Sequence, residues 1–101
     1  MSHKNMMMAR IYFSEKSAHL EKLLTLLKDV EKVIGVTVYR GIEGYGDSGQ
    51  VHSASLIDLS QDLPIVVEFF DESEKMEEII NHLQKNIKPG HIISWPVRVH
   101  D

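Results

Sequence analysis

Residues Leu63–Ile80 read LPIVVEFFDESEKMEEII, and the spacing of their apolar residues changes once along the way. Leu63 to Phe70 is β-branched and aromatic, long enough for a buried strand, with Pro64 at its start or wherever no ladder hydrogen bond is needed. From Asp71 onward the apolar residues fall at Met76, Ile79, Ile80, Leu83 and Ile87, the spacing of a helix that buries one stripe. Asp71 with Glu74 has the form of a capping box, and Pro89-Gly90 stops the helix. A strand therefore feeds directly into an amphipathic helix.

The N-terminal half repeats this pattern. Met6–Phe13 reads as a strand, Ser14 or Ser17 can cap a first helix, and Leu20, Leu23, Leu24, Leu27, Val30 and Ile34 keep helical spacing up to Gly35, where a left-handed terminator belongs. Val36–Glu43 alternates as a strand, and HIISWPVRVH at the end of the chain sets Ile93, Trp95, Val97 and Val99 against Ile92, Ser94, Pro96, Arg98 and His100. The order β-α-β-β-α-β predicts an α+β ferredoxin-like sandwich, an antiparallel sheet with two helices on one face, with residues 1–101 a single domain. The other face is left uncovered. Some of Val36, Val38, Ile65, Val67, Ile93 and Val97 are expected on it, and further copies of the chain are its natural cover.

Composition narrows the function. Eleven Lys and Arg against fifteen Asp and Glu give a net charge of −4. With no dense basic run, nucleic acid is not an expected partner. The apolar runs are far too short to span a membrane and the N-terminus lacks a secretory pattern, so a cytoplasmic protein is expected. The absence of cysteine excludes disulfides, thiolate metal sites and thiol nucleophiles.

Catalytic signals are weak. The six histidines include no HExxH pair and no close metal pair, and each by itself reads as a surface or structural imidazole. The serines near residue 50 lack a G-x-S-x-G setting. Glu68, inside an apolar strand, either faces a cleft or takes a salt bridge. His52 would be the other conceivable general base, but no matched nucleophile accompanies either residue. The chain is read as a binding protein, with an enzyme acting on a phosphate ester or nucleotide, or a structural trimer, as the alternatives.

The strongest binding signal is YRGIEGYGDSGQVH, Tyr39–His52, which holds four of the six glycines in the chain. Such a run is either a hairpin tip or a nest of backbone N–H groups converging on an anion. Arg98 and His100 share one face of the final strand and supply the cations that an anion site needs. The segment from Asp47 to Asp62 offers little apolar surface to bury, and is expected to be the least ordered internal segment without ligand.

These residues carry a resemblance. With SQDLPIVVEFFDESEKMEEII and PGHIISWPVRVH, the glycine segment resembles the PII signal-transduction superfamily, and most closely its PII-like branch known as domain of unknown function 190, over Met8 to His100. The resemblance implies a homotrimer of ferredoxin-like subunits that binds an adenine nucleotide in clefts between subunits. It also implies a long loop, here residues 44–62, that contacts a target protein. A membrane transporter is one candidate for that target, since relatives of this branch are found beside small exporters of halide ions. Carried over by position, Gly44, Gly46, Asp47, Ser48 and Gly49 form the loop base near the phosphates, and Gly90, His91, Arg98 and His100 complete the pocket.

Two departures qualify this expectation. Nitrogen-regulatory members carry Arg-Gln after the G-[FY]-G motif, where this chain has Asp47-Ser48. Asp47 would repel a third phosphate, which favours AMP or ADP over ATP and leaves no role for 2-oxoglutarate. No tyrosine lies between Asp47 and Asp62, so the tyrosine-modification switch of that group has no acceptor in this loop.

Overall fold

The structure, a computed structural model, describes residues 2–14, 19–46, 52–53 and 63–101. Along the chain these form β1 (His3–Ser14), helix α1 (Leu20–Thr25) continuing as a π-helical turn (Leu26–Val30), β2 (Gly35–Arg40), β3 (Glu43–Gly44), β4 (His52–Ser53), β5 (Pro64–Asp71), α2 (Ser73–Leu83) and β6 (Ile92–His100). The long strands make one sheet in the order β2-β5-β1-β6, every pair antiparallel, and β3 with β4 forms a separate ribbon. This is the ferredoxin-like arrangement expected from the element order.

Strand β5 sits at the centre, and the register explains its burial. Ile65, Val67 and Phe69 pair with Phe13, Ile11 and Ala9 of β1. Paired residues share a face, and these, with Leu23, Leu27, Met76, Ile79 and Leu83 from the helices, form the core. Phe69, Val67, Leu27 and Met76 are wholly buried. The alternate residues of β5, namely Val66, Glu68 and Phe70, fall on the face away from the helices with Tyr12, Arg10 and Met8 of β1. Ile93, Trp95 and Val97 of β6 join them there.

The expected membership of that open face needs correction. Ile65 and Val67 lie under the helices, and by register Val36 and Val38 share their face; only Ile93 and Val97 of the expected set are on the open side. The reason is visible in IVVEFF. Both parities of residues 65–70 are apolar except at Glu68, so alternation could not reveal which set faces the helices.

The first helix also ends differently from its periodicity. After Thr25 it underwinds, with Glu31 N–H donating to the Leu26 carbonyl at 2.8 Å and Val33 N–H to the Leu27 carbonyl at 3.0 Å. The extra residue per turn keeps Leu27 buried and rotates Val30 and Ile34 outward, where they are 66% and 58% exposed. The left-handed residue at the helix end is Lys32, with φ 53°, not Gly35. Gly35 opens β2 opposite Phe70, and a Cβ there would meet the Phe70 ring at 2.5 Å. Its lack of a side chain makes room for the aromatic ring across the strand pair.

The expected capping box at α2 does not form. Asp71 belongs to β5, Glu72 is the N-cap, and no side chain caps the helix. The buried Asp71 carboxylate instead accepts the Glu72 N–H through Oδ1 at 2.7 Å, while Lys75 Nζ lies 2.8 Å from Oδ2. That second contact is an ion pair without aligned hydrogen-bond geometry. The same ammonium donates to the Lys32 carbonyl at 2.9 Å. Lys75 thereby ties the start of α2 to the end of the first helix.

Candidate ligand-binding site

The glycine segment begins where β2 and β5 separate. Gly41 N–H donates to the Pro64 carbonyl at 2.7 Å, and a Cβ at Gly41 would lie 2.7 Å from Pro64 Cγ. A Cβ at Gly44 would lie 3.3 Å from the same atom. Two glycines of the cluster are thus explained by close approach to a proline ring. Past them, Glu43 and Gly44 pair with Ser53 and His52, so the base of the segment is a narrow ribbon. Gly46 is different. Among the described residues nothing lies within 4 Å of the position its Cβ would occupy, and its φ is not left-handed. Among the described residues, neither packing nor backbone conformation requires glycine there.

The turn that leads from α2 into β6 lies at the same end of the sheet. Gly90 adopts φ +84°, which only glycine enters without strain, and His91 N–H donates to the Lys88 carbonyl at 3.2 Å. Tyr12 N–H donates to the His91 carbonyl at 2.9 Å, and His91 Nδ1 lies 3.0 Å from the Tyr12 carbonyl. A carbonyl can only accept, so Nδ1 carries the hydrogen and the ring orientation is set by β1. Gly44, Gly46, Gly90 and His91 therefore share one end of the sheet. With β5 and β1 between β2 and β6, three strand spacings, or about 14 Å, separate the two loops across the sheet.

Arg98 and His100 are elsewhere. They pair with Asn5 and His3, whereas Pro64, at the base of the glycine segment, pairs with Ser14. Nine residue steps along extended β1 separate Asn5 from Ser14, about 30 Å. The two side chains do share a face, but it is the helix side of the sheet rather than the open side, and both are exposed there. The His100 ring stands 5.9 Å from that of His3, and the chain ends are tied by Ser2 Oγ donating to Asp101 Oδ2 at 2.8 Å. A single chain thus gathers Gly44, Gly46, Gly90 and His91 and separates them from Arg98 and His100. Asp47, Ser48 and Gly49 lie outside the described residues, as do the side chains of His52 and Ser53.

One polar group went unnoticed in the sequence. Arg10, directly opposite Glu68, places Nη2 3.5 Å from Glu68 Oε1 and Nη1 3.4 Å from the Tyr12 hydroxyl, with its guanidinium 5.0 Å from the centre of the Trp95 ring. The Tyr12 hydroxyl and then the Glu68 charge outweigh desolvation and raise the Arg10 pKa above its already high ordinary value. Among the described residues Arg10 Nε has no hydrogen-bond partner. Of the two roles open to Glu68, the structure shows the salt bridge. The signal was present as a lone arginine in MMMARIYF and a lone glutamate in IVVEFF, but pairing them required the register.

This topology, with a ribbon between the second and third long strands, is the fold of PII-like proteins. It superposes with a TM-score of 0.72 on the Thiomonas intermedia structure "CPII bound to ADP and bicarbonate", at 18% identity, covering 99% of this chain and 93% of that one. A putative PII-like signaling protein from Thermus thermophilus gives 0.63 at 20% identity, covering 98% and 91%. The chain belongs to the DUF190 family, described as Uncharacterized ACR, whose profile matches residues 6–99. A UPF0166 protein of Aquifex aeolicus is 31% identical over 90 residues, spanning 89% of this chain and 92% of the relative. Another alignment to an Aquifex aeolicus UPF0166 protein is 38% identical over 50 residues and spans 48% of that protein. Among the described residues no helix is long and apolar enough to cross a membrane.

Proposed function

We propose that this chain is a regulatory protein that binds AMP or ADP in clefts between three copies of itself and signals occupancy to a partner protein through the loop 44–62. The observation that carries this is Gly46. Gly41 and Gly44 lie close against Pro64 and Gly90 needs its φ, but among the described residues Gly46 has no such reason, which suits a backbone that a ligand approaches. The fold adds support, since a nitrogen regulatory PII-like protein of similar fold has a structure bound to ADP, AMP and bicarbonate.

The separation of the candidate residues fits an assembly. If Gly46 and Arg98 hold one ligand they come from different copies, because within a chain they stand on the order of 30 Å apart. The open sheet face supplies the contact. Met8, Val66, Phe70, Ile93, Trp95 and Val97 surround the Arg10–Glu68 pair, whose charges would be enclosed together rather than singly. Nucleotide would order the loop, and the ordered loop would change affinity for the partner, a population shift that differential binding of a few kcal/mol can drive. We assign no catalytic step, since Glu68 is held by Arg10.

Calorimetry with AMP, ADP and ATP, with and without 2-oxoglutarate, combined with light scattering for mass, tests the reading. AMP or ADP binding at least as tightly as ATP, to a trimer, with no effect of 2-oxoglutarate, is the expected result. A monomer, or a trimer that binds none of the three nucleotides, would refute it.

A further inference from the structure

The first and last strands meet at a pair of histidines. His3 of β1 stands directly opposite His100 of β6, and their ring centres are 5.9 Å apart with the planes inclined at 55°. The pair is held from both sides. Toward the middle of the sheet Lys4 pairs with Val99 and Asn5 with Arg98; beyond it Asp101 N–H donates to the Ser2 carbonyl at 3.3 Å, and Ser2 Oγ donates to Asp101 Oδ2 at 2.8 Å. Direct cross-strand pairing sets the two Cβ atoms about 4.5–5.5 Å apart, whatever the rings do.

Both histidines are exposed on the helix side of the sheet, outside the core that the helices cover. Imidazole nitrogen is a ligand for zinc, copper and nickel, with Zn–N bonds of about 2.0–2.1 Å, whereas magnesium and calcium take oxygen. Two rings side by side at this spacing can each turn a nitrogen toward one ion between them. Because the strands are already paired, only side-chain torsions need change. The neighbouring charges oppose one another: Arg98 shares the face and disfavours a cation, while the carboxylate of Asp101, next to His100, favours one. Among the described residues no group of three His, Cys, Asp or Glu is placed to hold a metal, so the pair supplies two ligands and water the others.

We infer that His3 and His100 form a binding site for a divalent first-row transition ion such as Zn²⁺, one per chain, chelated between the first and last strands. No nucleotide takes part, so the inference stands apart from the function proposed above. An ion bound there ties β1 to β6 at the end of the sheet away from the glycine segment. It binds the folded pairing in preference to an unfolded chain in which the two histidines are far apart, and so raises stability by mass action.

Calorimetry of the full chain with zinc chloride, in the absence of nucleotide, tests the site. One Zn²⁺ should bind per chain with saturation, and Mg²⁺ should not compete. His3→Ala and His100→Ala should each weaken Zn²⁺ binding at least ten-fold, whereas His82→Ala, at the contact with Glu31, should leave it unchanged. Without metal, neither His3→Ala nor His100→Ala should shift the melting temperature beyond an ordinary surface change, because both positions are exposed. Each should abolish the rise in melting temperature that Zn²⁺ gives the parent. The inference is overturned by the absence of saturable Zn²⁺ binding, by binding that survives His3→Ala or His100→Ala undiminished, by competition from Mg²⁺, or by an equal loss in His82→Ala.

Discussion

Gly41→Ala and Gly46→Ala should behave as opposites, although the two glycines lie in one short segment. At Gly41 the new methyl would stand 2.7 Å from Pro64 Cγ and 3.4 Å from the Pro64 carbonyl oxygen. Neither atom can swing aside: the ring is locked to its backbone, and that carbonyl accepts the Gly41 N–H at 2.7 Å. The strand ends must part. Overpacking of this kind costs about 1–3 kcal/mol. In a domain of this size each kcal/mol lowers the melting temperature by roughly 4–8 °C, so a fall of at least about 4 °C is expected. At Gly46 the methyl meets nothing among the described residues within 4 Å, so stability should stay within about 0.5 kcal/mol of the parent. Its effect should appear in binding, with AMP or ADP affinity lowered at least ten-fold, about 1.4 kcal/mol, because the methyl intrudes where phosphate would approach the backbone. Differential scanning calorimetry and nucleotide titration of both variants read the two quantities. If Gly46→Ala melts as low as Gly41→Ala, or binds nucleotide as the parent does, the division of these glycines between packing and ligand is wrong.

The same geometry sets four other outcomes. Phe69→Ala removes a wholly buried ring from the centre of the core and should cost about 3–5 kcal/mol in a denaturant titration. Arg10→Glu places two carboxylates directly opposite each other on the open sheet face and should reduce the proposed trimer to smaller species by light scattering, with the helical far-UV signal retained. Arg98→Ala, at an exposed position far from the core, should lower nucleotide affinity about ten-fold without changing the mass of the proposed trimer, as calorimetry and light scattering would show. Lys75→Met breaks the contacts to Asp71 and the Lys32 carbonyl and leaves a buried carboxylate without its cation, so an unfolding titration should show a loss larger than the ~0.5 kcal/mol of an ordinary surface change.

The elements and their order were legible in the amino-acid sequence. The switch from strand to helical spacing at Asp71, repeated in the first half, left a split β-α-β unit as the economical topology, and local periodicity carries that information because each residue's neighbours along the chain set it. The glycine segment was legible as a connection between strands, and Gly90 as part of a turn, for the same local reason. Periodicity could not supply phase or partnership. With Ile65 and Val66 both apolar, and Val67 beside them, only pairing with Ile11 and Phe13 decides which side of β5 faces the helices. The ends of the helices were also tertiary decisions: a π-helical turn keeps Leu27 buried at the expense of Val30, and Lys75 engages an Asp71 that the sequence had marked as a cap. The sequence joined Arg98 to the glycines through chemical complementarity, but strand order places them at opposite ends of one chain, because which distant residues meet is set by register and strand order and not by residue type. The Arg10–Glu68 pair is the converse, two residues 58 positions apart that only the β1–β5 register makes neighbours.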